Sequence, residues 1–129
     1  MNIYIDSSAL VKTVIEEAES VALARYLTGF PDDNRLTAAI ARPELLRTVA
    51  GRGAAVDSAR TALARLNFIA ITTSILDTAA TLSPPELRTV DAIHLAAALV
   101  VPELRALVTY DSRLSDAATH AGLPVVSPA

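Results

Sequence analysis

Residues 104–126 read LRALVTYDSRLSDAATHAGLPVV, and this stretch decides the fold. Leu104–Thr109 is rich in apolar and β-branched residues, which predicts a strand. Ser112–Ala121 has the spacing of a helix, which Gly122 ends. Pro124–Val126 predicts a short last strand. A strand, a helix and a second strand in this order indicate two parallel strands with a helix packed across them.

The rest of the chain repeats this alternation of short strand patterns and helical patterns. Strands are predicted at Asn2–Ile5, Leu36–Ala38 and Phe68–Ile71. Helices are predicted at Ala9–Val14, Ala18–Leu27, Ile40–Val49, Val56–Leu66, Thr73–Leu82 and Ala92–Leu99. The alternation predicts an α/β fold, a three-layer α/β/α sandwich around a central, mostly parallel sheet. No internal repeat or linker divides the chain, so residues 1–129 are expected to form a single domain.

Composition narrows the class of protein. The chain has 129 residues, 52% of them hydrophobic, which suits one core and is thin for two. Its longest apolar run is interrupted by His94 and is too short to span a bilayer, so no membrane helix is expected. The start MNIYIDSS lacks a secretory pattern, which makes the cytoplasm the expected location. The absence of cysteine excludes disulfides and thiolate metal sites.

The net charge of −3 argues at first sight against a nucleic-acid ligand, because such proteins usually present a basic face. If four acidic residues, Asp6, Glu44, Asp91 and Asp111, bound cations, their charge would be neutralised and the remainder of the chain would carry about +1. All of the 11 basic residues except Lys12 are arginine, the side chain best suited to bidentate phosphate contacts. The charge therefore permits a polyanionic ligand.

Four acidic residues lie where a predicted strand or helix begins or ends. Asp6 and Asp111 follow strands, whereas Glu44 and Asp91 lie near helix starts. In a parallel sheet these positions open onto one edge, where ligands bind. Each residue alone could be a helix cap or a helix-dipole partner. Together they lie beside apolar helix faces, where unpaired carboxylates would be costly to bury. We therefore predict that the four carboxylates meet in one catalytic, metal-binding site.

The ligand set determines the expected ion. Carboxylate oxygens without histidine or cysteine partners favour Mg²⁺ or Mn²⁺ over Zn²⁺. Such an ion can activate a water molecule and neutralise charge on a phosphoryl group, alone or as one of two ions. The residues thus predict a metal-dependent phosphodiesterase, with the number of ions left open.

Several polar residues near the acids have less specific roles. Ser7 and Ser8 could hold a water molecule or a phosphate oxygen, although capping of the first helix explains them equally well. Thr109 could orient the Asp111 carboxylate, although a β-branched residue in a strand needs no special reason.

Other polar residues favour structural interpretations. His94 is expected on a helix surface or satisfied in the core rather than as a ligand, and Asp116 on a solvated helix face. Four arginines flank the acids and could bind a phosphate backbone or form surface ion pairs: Arg42, Arg47, Arg88 and Arg113.

Four segments resemble the signature regions of PIN-domain ribonucleases, in particular the small VapC-type toxins of bacterial toxin–antitoxin pairs. These segments are IYIDSSALVK (3–12), ARPELLR (41–47), TVDAIHLAAAL (89–99) and LVTYDSRLSDAATHAGLPV (107–125). The resemblance runs from end to end, and the DAIHLA and TYDSRL…AGLPV blocks are its most specific parts. It assigns the acidic metal ligands of the family to Asp6, Glu44, Asp91 and Asp111.

The resemblance implies a PIN-like fold and an endoribonuclease that uses Mg²⁺ or Mn²⁺ to cut RNA. It also implies a homodimer and inhibition by a cognate VapB-type antitoxin. Transfer RNA and ribosomal RNA are among the targets that it suggests.

An aspartate after the first strand also occurs in other classes of protein. Haloacid-dehalogenase-like phosphatases and signalling receiver domains both need a lysine late in the chain, and no lysine follows Lys12. A non-catalytic PIN-like module that only binds RNA or a protein partner stays open, because it requires only that the four acids be inert.

Overall fold

Five short parallel strands form the centre of the molecule, and seven helices surround them. The computed structural model describes all of residues 1–129. The strands are β1 (Asn2–Ile5), β2 (Asn34–Ala38), β3 (Asn67–Ile69), β4 (Leu104–Val108) and β5 (Val125–Val126). The helices are α1 (Ser7–Val14), α2 (Ser20–Thr28), α3 (Ala41–Val49), α4 (Ala54–Ala64), α5 (Thr73–Thr81), α6 (Thr89–Leu99) and α7 (Ser112–His120). None of the helices is long and apolar enough to cross a membrane.

The strand order places β1 at the centre of the sheet. The order is β3-β2-β1-β4-β5, and every neighbouring pair is parallel. Ile5 at the end of β1 lies beside Val108 at the end of β4. The chain leaves β1 toward β2 on one side, and β4 later joins β1 on its other side. The order therefore reverses between β1 and β4, and α/β sheets bind ligands at the carboxyl ends of such a strand pair.

Alternating side chains of β1 supply both hydrophobic layers. Ile3 and Ile5 pack in one buried cluster with residues of α1, α2, α3 and α4. Tyr4 points to the opposite face, into a second cluster formed with α6 and α7. Two buried layers on one sheet are the reason that β1 contains almost no exposed side chain.

The structure confirms the predicted α/β/α sandwich, and the sheet is entirely rather than mostly parallel. Each predicted strand and helix is present, with ends that differ by a few residues. The strand ends differ by at most two residues, since β2 begins at Asn34 instead of Leu36 and β3 ends at Ile69 instead of Ile71. Helix α6 begins at Thr89, so Asp91 lies in its first turn. Pro43 lies in the first turn of α3, where a missing N–H breaks no helix bond.

Candidate active site

Two of the four acidic residues follow β1 and β4, the strands between which the strand order reverses. Asp6 follows β1 and caps the amino end of α1, where its Oδ1 accepts a hydrogen bond from the Ala9 N–H at 3.0 Å. Asp111 follows the end of β4 and caps α7 in the same way through Leu114, at 2.9 Å. The capping interpretation therefore holds for both residues, and in each the second carboxylate oxygen takes no part in the cap.

The Asp6 carboxylate is buried and held by two hydroxyl groups. Ser8 donates to its Oδ1 at 2.7 Å, and Thr109 donates to its Oδ2 at 2.5 Å. Burial raises the pKa of the Asp6 carboxyl above its usual value, although its hydrogen bonds act in the opposite direction. A cation next to this carboxylate would offset the cost of burying its charge.

The same two hydroxyl groups tie the end of β1 to the end of β4. Ser8 Oγ accepts a hydrogen bond from the Tyr110 N–H at 2.9 Å, and Thr109 Oγ1 accepts one from the Asp111 N–H at 3.1 Å. The prediction that Thr109 orients the Asp111 carboxylate is wrong. Its hydroxyl orients the Asp6 carboxylate and the Asp111 backbone, because the parallel pairing of β1 and β4 brings it beside Asp6.

Arg88 links the other two aspartates. Its Nε donates to Asp91 Oδ2 at 2.9 Å, and its Nη2 donates to Asp111 Oδ2 at 3.1 Å. The Asp91 side chain is 8% exposed and that of Arg88 is 64% exposed, so the bridge lies at the mouth of the site. These two carboxylates further raise the pKa of the arginine. One guanidinium group thus lies between two of the four carboxylates and partly neutralises their charge.

Glu44 is held by a third pair of donors. Its Oε1 accepts hydrogen bonds from Ser7 Oγ at 2.6 Å and from His94 Nε2 at 2.7 Å. Burial acts to raise the pKa of the Glu44 carboxyl, but these hydrogen bonds outweigh it and the pKa lies below its usual value. Glu44 is therefore a partly buried, ionised carboxylate with one fixed oxygen.

His94 is satisfied in the core, as predicted, but its partners were not foreseen. Its Nδ1 is 2.6 Å from the Tyr4 hydroxyl, and both residues are buried. The signals in the sequence were a tyrosine two positions before Asp6 and a histidine one turn after Asp91. Neither signal indicates that residues 90 positions apart meet.

The remaining candidates lie outside this hydrogen-bond network. Asp116 is exposed on α7, as predicted for a solvated face. Arg42 packs over the Phe68 ring at 5.2 Å instead of contacting the acids. Of the four flanking arginines, Arg88 is the one whose guanidinium forms ion pairs with the acids.

The chemistry of these donors suits Mg²⁺ or Mn²⁺, but the side chains are not gathered around one point. Four carboxylates at one edge are the oxygen ligands that such ions prefer. As the side chains stand, no group of three or more acidic or histidine residues is arranged to hold a metal ion. The guanidinium of Arg88 lies between Asp91 and Asp111, so it would have to move before both could bind an ion. The metal site stays a prediction.

The sequence comparisons with known proteins agree on one protein family. The PIN domain family matches residues 3–119. The chain is 46% identical over 129 residues to Ribonuclease VapC46 of Mycobacterium tuberculosis strain H37Rv, covering 98% of this chain and 97% of that protein. It is 39% identical over 131 residues to Ribonuclease VapC47 of M. tuberculosis strain CDC 1551, covering 98% and 96%.

A solved structure has the same fold. The crystal structure of M. tuberculosis VapC20, a Sarcin-Ricin loop cleaving toxin, superposes with a TM-score of 0.73 at 21% identity. The match covers 98% of this chain and 99% of that one. At this identity the likeness concerns the fold, whereas the sequence relatives identify the family. The chain therefore belongs to the PIN-domain family, among the VapC ribonucleases.

Proposed function

We propose that this chain is a metal-dependent endoribonuclease toxin that hydrolyses RNA phosphodiester bonds. The observation that carries the proposal is the network linking Asp6, Asp91 and Asp111 at the carboxyl ends of β1 and β4. Glu44 joins the same edge through Ser7, which directly follows Asp6. The names of the sequence relatives, which are ribonucleases, support the same activity.

Asp6, Glu44, Asp91 and Asp111 would hold Mg²⁺ or Mn²⁺. When bound, the ion would supply an activated water and neutralise negative charge on the phosphoryl group. The proposal is supported by the chemistry of the four carboxylates and by the burial of Asp6, whose charge has no cationic hydrogen-bond partner.

Other residues at this edge would hold these carboxylates in position. Thr109 and Ser8 fix the buried Asp6, and both bind backbone N–H groups, so the carboxylate cannot rotate freely. Arg88 is mostly exposed and donates one hydrogen bond to each of two carboxylates. Once released from them, its guanidinium is suited to bind a phosphate oxygen of the RNA backbone.

The proposal extends to the partners and the setting of the protein. We propose inhibition by a VapB-type antitoxin, assembly as a homodimer, and action in the cytoplasm as one domain over residues 1–129. The single sheet, whose strands lie between residues 2 and 126, supports one domain. Exposed apolar side chains on the paired helices α5 and α6, Leu76 and Leu99, could contribute to a protein interface.

The test is RNA cleavage in Mn²⁺ and in excess chelator. We expect cleavage of structured RNA only with the ion. Asp91→Asn should lower the cleavage rate at least about a hundredfold, because losing a residue that merely orients a metal ligand already costs up to that factor. Asp77→Asn, which alters an exposed aspartate on α5, is the matched control and should cleave normally.

Two outcomes would contradict this function. Cleavage that survives the chelator or the Asp91→Asn change would remove the metal mechanism. RNA binding by the wild-type protein without cleavage at any ion concentration would favour the non-catalytic RNA-binding module.

A further inference from the structure

A chain of buried polar groups leads from the backbone of β2 to the Glu44 carboxylate. The Ala38 N–H donates to the Tyr4 hydroxyl at 3.2 Å. The Tyr4 hydroxyl lies 2.6 Å from His94 Nδ1, and His94 Nε2 lies 2.7 Å from Glu44 Oε1. Tyr4 is 0% and His94 is 1% exposed, so water cannot replace these partners.

The positions of the protons in this chain follow from its donors and acceptors. Tyr4 already accepts a hydrogen bond from Ala38, so its own proton needs an acceptor. The Glu44 carboxylate can only accept, so the 2.7 Å contact makes His94 Nε2 the donor, and His94 Nδ1 is left to accept from the Tyr4 hydroxyl at 2.6 Å. Nδ1 is therefore the acceptor, and Nε2 carries the hydrogen that Glu44 accepts.

We propose that Tyr4 and His94 are positioning residues for the reaction proposed above. Tyr4 holds His94 in the Nε2–H tautomer, and His94 in that form holds one oxygen of Glu44 in a fixed direction. This role rests on the proposed function, because it concerns the same acidic edge. In this role neither Tyr4 nor His94 has to contact RNA or a metal ion.

The opposite tautomer of His94 would break its hydrogen bond to Glu44. With the proton on Nδ1, the Nε2 lone pair would face Glu44 Oε1 at 2.7 Å, and two acceptors at that distance repel each other. In the observed arrangement His94 and Ser7 both bind Oε1. Oε2 accepts no side-chain hydrogen bond and is left for a cation.

The first test is Tyr4→Phe, which removes only the hydroxyl that donates to His94. We expect kcat for RNA cleavage to fall about 10–100-fold, with little change in KM, since the lost group acts through a neighbour of the reacting atoms. Tyr26→Phe is the matched control, because the Tyr26 side chain is partly buried and its hydroxyl makes no hydrogen bond to another residue. An unchanged kcat in a folded Tyr4→Phe protein would overturn the role of Tyr4.

The second test reads the tautomer directly and needs neither metal nor substrate. In ¹⁵N-histidine spectra of the wild-type protein, His94 should show a protonated Nε2 and an unprotonated Nδ1. His120, the other histidine, is exposed at the end of α7, so His120→Gln assigns the signals. A protonated Nδ1 in the metal-free wild-type protein would overturn the inference even if the enzyme cleaves RNA.

A third comparison separates positioning from packing. The amide of His94→Gln can still donate to Glu44, whereas the side chain of His94→Leu cannot. We expect the glutamine variant to retain more cleavage than the leucine variant when both are folded, and equal losses would indicate that His94 only fills space. If the wild-type protein shows the expected tautomer but cleaves no RNA, the proposed function fails, and the positioning role fails with it.

Discussion

The carboxylates at the two edges of the sheet differ in how many cationic partners they have. At the amino ends of the strands, the single carboxylate of Asp33 binds the Arg105 guanidinium and the amino terminus of Met1. Arg105 in turn lies over the Phe30 ring, 3.9 Å from its centre. At the carboxyl ends there are four carboxylates, and the one guanidinium among them, that of Arg88, pairs with only two, Asp91 and Asp111.

This difference is the one expected between a structural acid and the acids of the proposed metal site. The Asp33 charge is more than balanced, and its hydrogen bond with Arg105 lowers the pKa of the carboxyl below its usual value. The Asp6 charge has only neutral hydrogen-bond donors, and burial raises the pKa of its carboxyl. A protein that has a surplus of acid at one edge and a compensated acid at the other is arranged to attract cations to the first edge.

The largest effect is expected from removing a donor at the acidic edge. Thr109→Val deletes the hydroxyl that binds the Asp6 carboxylate while preserving the shape of the side chain. We expect RNA cleavage to fall about 10–100-fold. The free energy of unfolding should fall by about 1–3 kcal/mol, because a buried acceptor loses its donor. Cleavage rates and urea unfolding measure the two effects.

Thr37→Val is the matched control for this change. Thr37 and Thr109 are both fully buried threonines at the carboxyl ends of the strands on either side of β1, but the Thr37 hydroxyl makes no hydrogen bond to any of the four acids. Its removal should leave cleavage intact and be neutral or stabilising. Equal effects of the two substitutions would mean that the Thr109 contacts have no special role.

A smaller effect is expected from removing the one cation of the acidic edge. Arg88→Gln should raise the affinity for Mn²⁺ severalfold, because the guanidinium competes for Asp91 and Asp111. Calorimetric titration of the purified protein measures this directly. Arg113→Gln, an exposed arginine that forms no ion pair, should leave the affinity unchanged. A lower affinity in Arg88→Gln would show that the arginine assists ion binding rather than competing with it.

The smallest effect belongs to the opposite edge. Asp33→Asn should lower the Tm at neutral pH without changing cleavage. The folded-state pKa of Asp33 is lowered, so its contribution to stability is present above the unfolded value of about 3.9 and is lost as the pH falls through the folded value. The Tm difference between wild type and Asp33→Asn should therefore shrink in acid. A difference that grows below pH 4 would contradict this account.

Local patterns in the sequence predicted most of the fold. The period of the hydrophobic residues differs between strands and helices, so each element could be located within a few residues. The edge that carries Asp6 and Asp111 followed from a general property of parallel sheets, because both residues come directly after strands.

The contacts within the candidate site could not be predicted in the same way. Thr109 binds Asp6 across 103 positions, and Tyr4 meets His94 across 90. Such contacts depend on the register of β1 against β4 and on where α6 crosses the sheet. No local sequence pattern determines either of these. Arg88 was one of four equivalent arginines in the sequence, and only the loop before α6 brings it between two carboxylates.

The most direct test of the account is a Mn²⁺ titration followed by calorimetry and by thermal unfolding. The wild-type protein should bind the ion saturably, and its Tm should rise with the ion concentration, since the ion binds the folded state. Asp6→Asn should weaken binding at least about tenfold, whereas Asp33→Asn should not. Absent binding at millimolar Mn²⁺, or equal binding in all three proteins, would contradict the claim that the carboxylates of the acidic edge act together as a cation site.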